Sequence, residues 1–76
     1  MIVQIILPKL GFSMEEGTLV SWLVADGEHV AQGAPLFELE SEKSVQEVEA
    51  PASGTLRIIA APDETYPVGT VLGEIS

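Results

Sequence analysis

Apolar residues fall in short runs along this chain, at 3–7, 18–24, 36–40, 45–49, 55–60 and 71–75. The runs are rich in Val, Leu and Ile, and none keeps the 3.6-residue rhythm of an amphipathic helix. Turn-forming clusters separate them: Asp26-Gly27, Gly33-Ala34-Pro35, Ala52-Ser53-Gly54 and Ala61-Pro62-Asp63. Short β-rich segments at such spacing predict an all-β fold, a sandwich or flattened barrel with no helix longer than one turn.

The two halves of the pattern resemble each other. Gly17-Thr18-Leu19 recurs as Gly54-Thr55-Leu56, and Asp26 then matches Asp63 at the same offset. After a slip of one residue, Gly33, Leu36, Glu38 and Leu39 match Gly69, Leu72, Glu74 and Ile75. Chance likeness between β-rich segments would not keep this order with a single slip, so the pattern reads as a duplicated half-domain. It predicts two quasi-symmetric antiparallel sheets, with the two copies packed face to face about an approximate two-fold.

A hairpin spanning 36–49 joins the copies, with Ser41-Glu42-Lys43-Ser44 at its centre. Ser suits the first position of a type I turn, and Glu and Lys are tolerated in its middle, so Lys43 is expected at the tip. Simple pairing about this turn sets Glu38 opposite Glu47, a mildly unfavourable like-charge pair. Trp22 and Leu23 are expected to pack with Leu36, Leu56 and Leu72.

Composition narrows the function more than the fold. Seventy-six residues allow one domain, 1–76, whose core must be economical. Without cysteine there is no disulfide, thiol nucleophile or thiolate metal ligand. Twelve acids against Lys9, Lys43 and Arg57 give a formal net charge of −9. Such a surface repels nucleic-acid phosphates and anionic membranes, so neither is an expected partner; basic protein surfaces are. The bland alternative is that acidity only keeps a small domain soluble. No apolar run approaches a membrane span, and the opening Met1-Ile-Val-Gln-Ile-Ile-Leu7 lacks a basic leader. These features, with the start at Met1, lead us to expect bacterial cytoplasm rather than mitochondrial matrix. A chain ending on a strand-like run reads as a domain of something longer.

Catalytic signals are lacking. His29, the only histidine, follows a Gly-Glu loop and reads as an exposed loop residue. No nucleophile, carboxylate pair, phosphate loop or calcium-loop spacing stands out. Lys43 is left: one cation in the stretch 38–49, among five carboxylates. Alone it would pass for a surface lysine softening an acidic hairpin. At the junction of two repeats, its amine is accessible to a modifying enzyme, and a long acyl adduct there would sweep freely.

The chain also resembles the lipoyl domains of 2-oxo acid dehydrogenase complexes, the N-terminal modules of dihydrolipoamide acyltransferases within the biotinyl/lipoyl attachment family. The likeness runs through Leu7-Pro8-Lys9-Leu10-Gly11, Ser13-Met14-Glu15-Glu16-Gly17-Thr18, Trp22-Leu23-Val24, Asp26-Gly27-Glu28-His29-Val30 and Gly33-Ala34-Pro35-Leu36. It continues through Glu40-Ser41-Glu42-Lys43-Ser44, Glu49-Ala50-Pro51, Gly54-Thr55-Leu56 and Pro67-Val68-Gly69-Thr70-Val71-Leu72. The resemblance implies a barrel-sandwich hybrid with lipoate amide-linked to Lys43. Glu40, Ser41, Glu42 and Ser44 of the hairpin, with Phe12, Ser13, Met14 and Glu15 of a neighbouring loop, would form the recognition surface. Ser44 replaces the commoner small apolar residue, and Asp63-Glu64-Thr65-Tyr66 lacks a glycine frequent in that loop.

The same resemblance implies a non-catalytic carrier whose lipoyl arm shuttles acyl groups and electrons. The implied partners are a lipoate-protein ligase or lipoyl transferase, a thiamine-dependent decarboxylase component, the acyltransferase core and dihydrolipoamide dehydrogenase. Pyruvate- and acetoin-type complexes match about equally. Two alternatives remain: a biotinyl carrier domain, disfavoured because methionines do not flank Lys43, and an unmodified acidic adaptor.

Overall fold

In the computed structural model, which describes residues 2–41 and 44–76, every regular element is a strand. The six expected runs become β1 (Val3–Ile6), β2 (Glu16–Trp22), β4 (Pro35–Glu40), β5 (Val45–Glu49), β6 (Gly54–Ile58) and β8 (Val71–Ile75). Two short strands were not expected, β3 (His29–Val30) and β7 (Glu64–Pro67). Both lie at sheet edges, where two residues, or a polar run ending in proline, suffice because only one side needs a partner. His29 is exposed as expected, but it belongs to β3 and pairs with Thr55 instead of lying in a loop.

The strands form two four-stranded antiparallel sheets, ordered β1-β8-β6-β3 and β5-β4-β2-β7. Both sheets are open, so the fold is a sandwich and not a closed barrel. Exchanging each strand of the first half with the strand four places later turns one order into the other, as an internal two-fold requires. The symmetry extends to detail. The irregularity between Ile5 and Ile6 in β1 recurs between Phe37 and Pro35, where β4 pairs with β5. Gly33 and Gly69 both hold a left-handed backbone, at φ 88° and 92°.

Two expectations from the repeat need correction. The copies do not simply pack face to face as separate units: every sheet takes two strands from each half, so the halves interlock. Pairing an internal repeat this way leaves neither half with a complete sheet of its own. The slip also falls earlier than expected, before Gly27. Gly27 N–H donates to Leu56 O (2.8 Å) and Asp63 N–H to Leu19 O (2.6 Å), which makes Gly27, not Asp26, the counterpart of Asp63. Asp63 accordingly takes the left-handed conformation itself, at φ 62°. Aspartate tolerates this region better than most residues, which resolves the missing glycine of that loop.

The core is built from symmetry mates. Leu19 and Leu56, Leu36 and Leu72, and Leu39 and Ile75 are all fully buried, around Phe37. Trp22 packs half-buried on this core, tilted 59° against Phe37 at 5.4 Å, and its Nε1–H donates to Ala60 O (3.0 Å). Leu23 does not join it. β2 ends at Trp22, and Leu23 is 41% exposed.

Candidate functional site

β4 and β5 form the connecting hairpin in the expected register, from Phe37 opposite Val48 to Glu40 opposite Val45, with Glu38 facing Glu47. Ser21 Oγ donates to Glu38 Oε1 (2.8 Å), which steadies one member of that like-charge pair. Beyond the strands, Ser44 O accepts from Ser41 N–H (2.8 Å) and from Ser41 Oγ (3.2 Å). The hairpin is thus closed as far as Ser41 and Ser44, leaving a two-residue connection. Those two residues are Glu42 and Lys43. The expected attachment residue and the expected type I turn therefore lie outside the described residues.

A second segment arrives at the same end of the sandwich, and the internal symmetry shows why it is there. Ile6 and Glu49 are symmetry mates by register, as are Gly17 and Gly54. Ten residues (7–16) separate the first pair member from the next glycine, but only four (50–53) separate their mates, so the first half carries a six-residue insertion. Its turn is held by Met14 N–H donating to Gly11 O (3.3 Å) and Leu10 N–H pointing at Met14 Sδ (3.2 Å). Val68 N–H donates to Glu15 O (2.9 Å) and ties the exit of the insertion to the end of β7. Gly17 makes room for Met14: a Cβ there would stand 2.7 Å from Met14 Cε and 3.0 Å from Leu39 Cδ1. Met14 is therefore half-buried, whereas Phe12 at the turn is wholly exposed.

Between insertion and hairpin lies an open cleft of about 720 Å³. Phe12, Ser13, Met14 and Glu15 line one side and Glu40, Ser41 and Ser44 the other, so all the described members of the expected recognition set share this cleft. Thr18, Gln46 and Thr65 also line it and were not anticipated. Thr18 pairs with both Glu40 and Thr65, and its hydroxyl lies 2.9 Å from that of Thr65. Register alone would have nominated Thr18 and Thr65, once β7 was recognised as a strand.

The chemistry of this end is that of a display surface. Among the described residues no polar or charged side chain is buried. No carboxylate or imidazole among them therefore sits in the desolvated setting that tunes a catalytic acid or base. No group of three or more His, Asp or Glu side chains among them could hold a metal ion. Half-buried Tyr66 on β7 has its hydroxyl 2.8 Å from Ala61 O and 2.9 Å from Glu64 Oε2. Partial burial, then the hydrogen bond and charge of Glu64, push its pKa above the ordinary tyrosine value.

Known proteins agree with this architecture. The biotin–lipoyl family model, described as "Biotin-requiring enzyme", matches residues 3–75. The dihydrolipoyllysine-residue acetyltransferase component of the acetoin cleaving system of Cupriavidus necator is 41% identical over 76 residues, 99% of this chain and 20% of that protein. Its Pseudomonas putida counterpart is 43% identical over 70 residues, 91% of this chain and 19% of that protein. The chain thus spans about a fifth of the length of these relatives. The solution structure of the lipoyl domain of the 2-oxoglutarate dehydrogenase complex of Azotobacter vinelandii superposes with a TM-score of 0.80 at 29% identity, covering 97% of this chain and 95% of that one. The chain belongs to the biotin–lipoyl attachment family, and within it is a lipoyl domain.

Proposed function

We propose that Lys43 carries lipoate through an amide and that the domain presents this arm to the active sites of a 2-oxo acid or acetoin dehydrogenase complex. The observation that carries the reading is the hairpin, bonded in register out to Ser41 and Ser44, with Lys43 in the two-residue connection between them. Amide formation removes the ammonium and makes the already acidic domain one charge more negative. The dithiolane supplies the redox and acyl-carrying chemistry. The protein's part is to hold it at high effective concentration near successive sites.

The partners follow from that role. A lipoate-protein ligase or lipoyl transferase attaches the arm. A thiamine-dependent decarboxylase acylates it, the acyltransferase core unloads it, and dihydrolipoamide dehydrogenase reoxidises it. The exposed Phe12, Ser13 and Glu15 beside Glu40, Ser41 and Ser44 give these partners a composite surface to read, and the net charge of −9 favours basic counterparts. The parent chain on this reading is a dihydrolipoyllysine acyltransferase, supported by the names of the relatives. Their bacterial sources support a bacterial cytoplasmic setting. Parallel incubation with a lipoate ligase plus lipoate and a biotin ligase plus biotin tests the reading. Intact mass should rise by one lipoyl group in the first and stay unchanged in the second. A biotinyl increment alone would favour a biotin carrier, and no increment in either an unmodified adaptor.

A further inference from the structure

Each open sheet ends in two edge strands whose outward backbone groups lack a strand partner, and proteins guard such edges with charge, proline or shortness. Three of the edges among the described residues are guarded. β3 has only two residues, β7 carries Glu64 and Pro67, and β5 carries Glu47 and Glu49. β1 has no such guard. Val3–Ile6 holds neither charge nor proline, and residues 1–14 contain no carboxylate in a chain of net charge −9. The internal two-fold sharpens the contrast. Register makes Gln4 the mate of Glu47 and Ile6 the mate of Glu49, so of two equivalent edges one is acidic and the other is not.

β1 is also regular in itself. The extra residue in its pairing with β8 is Leu72, which lies on β8 between the partners of Ile5 and Ile6. Exposure alternates from Gln4 to Ile6, with Ile5 inside, and Ile2 continues the outer row. Ile2 and Ile6 are 61% and 50% exposed.

We propose that β1 is a self-complementary edge through which two copies of this chain pair antiparallel, joining their four-stranded sheets into one of eight. Ile2-Val3-Gln4-Ile5-Ile6 is nearly palindromic about Gln4. A two-fold axis at Gln4 sets Ile2 of one copy opposite Ile6 of the other and Val3 opposite Ile5, β-branched pairs that suit antiparallel strands. Gln4 meets Gln4, and an amide both donates and accepts. Glu74 lies one strand further in, opposite Gln4 on one side and Arg57 on the other. The two copies of Glu74 stand three strand spacings apart, about 14 Å, beyond the screening length at physiological salt. The same pairing through β5 would bring Glu47 against Glu47 at about 5 Å. A strand from another protein would need no palindrome, so the self-match selects a second copy as the occupant.

One strand pair buries much less than the roughly 800 Å² per partner of a stable complex, and the charge of −9 on each copy opposes approach. The pair is therefore weak, forms at roughly millimolar concentration and tightens with salt. The sheet that holds β4 and β5 contributes no strand to the seam.

Sedimentation equilibrium of the chain tests this up to roughly 1 mM, at salt from roughly 0.1 to 1 M. The dimer fraction should rise with concentration and again with salt. In a mixture of isotope-labelled and unlabelled chains, filtered nuclear Overhauser contacts should join Ile2 to Ile6 and Val3 to Ile5. Ile6→Glu gives β1 the residue of its mate on β5 and should weaken dimerisation at least about 10-fold. Gln4→Lys should weaken it likewise while keeping the melting temperature, because the new cation faces Glu74 within its own sheet. Ile59→Glu, at a 54% exposed position beyond the end of β6, should dimerise as the parent does. A chain that stays monomeric throughout overturns the proposal. So does a dimer that survives Ile6→Glu and Gln4→Lys, or one that Ile59→Glu abolishes.

Discussion

Replacing Leu36 by alanine tests the symmetric core where it should be least forgiving. Leu36 is fully buried in β4, and its symmetry mate Leu72 is fully buried in β8. Removing a buried isobutyl group forfeits its transfer free energy and leaves a cavity that closes only in part, about 2–5 kcal/mol in total. A 76-residue domain has a total stability of roughly 4–11 kcal/mol. Leu36→Ala should therefore remove a large share of it and lower Tm by at least about 8 °C. Because the halves interlock, Leu72→Ala should match Leu36→Ala to within about 1 kcal/mol. Leu23→Ala is the control: 41% exposed and beyond the end of β2, it should cost under about 1 kcal/mol. Thermal melts and urea titrations of the three variants measure this. A Leu36→Ala variant melting within a degree or two of the parent, or Leu23→Ala as damaging as the other two, would refute the packing.

Other parts of the structure make separate claims. Trp22→Phe keeps an aromatic ring beside Phe37 but strands the Ala60 carbonyl, and should cost about 1–2 kcal/mol in a urea titration. Asp63→Val forces a β-branched residue into a left-handed turn and should be less stable than Asp63→Gly by about 1–2 kcal/mol; equal stabilities would dismiss strain at this position. The phenol of Tyr66 should ionise above 10.0 in a near-ultraviolet titration, and Glu64→Gln should bring it down. With a raised folded pKa, whatever stability Tyr66 contributes is present below 10.0 and is lost as pH climbs through the folded value.

Much of this architecture is legible in the chain because burial and symmetry repeat together. The matches of Leu19 with Leu56 and of Leu36 with Leu72 are matches of fully buried positions, so an apolar pattern could find them. The hairpin register followed from counting outward from its centre, and the Glu38–Glu47 pair came with it. What failed were features that hydrophobicity does not encode. β3 and β7 are short, polar edge strands, held by pairing with β6 and β2. The interlocking of halves depends on which strand pairs with which, and a repeat alone permits either arrangement. Leu23 misled because an apolar residue next to a core tryptophan need not be inside once the strand has ended. The insertion was visible only after register fixed Ile6 against Glu49, so the cleft that brings Phe12 and Met14 to the hairpin was not legible from spacing. Glu42 and Lys43 are a different matter, since their assignment rests on the sequence and on the closed hairpin around them.

Peptide mapping after lipoate ligase treatment tests the central claim most directly, because Lys9 is the only other lysine and serves as an internal control. Lys43→Arg retains a cation but offers no primary amine, so it should fold normally and gain no lipoyl group. Exchanging the pair, Glu42→Lys with Lys43→Glu, keeps composition and charge but moves the amine one place, and labelling should fall sharply. The account predicts one lipoyl group on the peptide containing Lys43, and none on Lys9. Lipoyl on Lys9, or undiminished labelling of the Lys43→Arg variant, would contradict it.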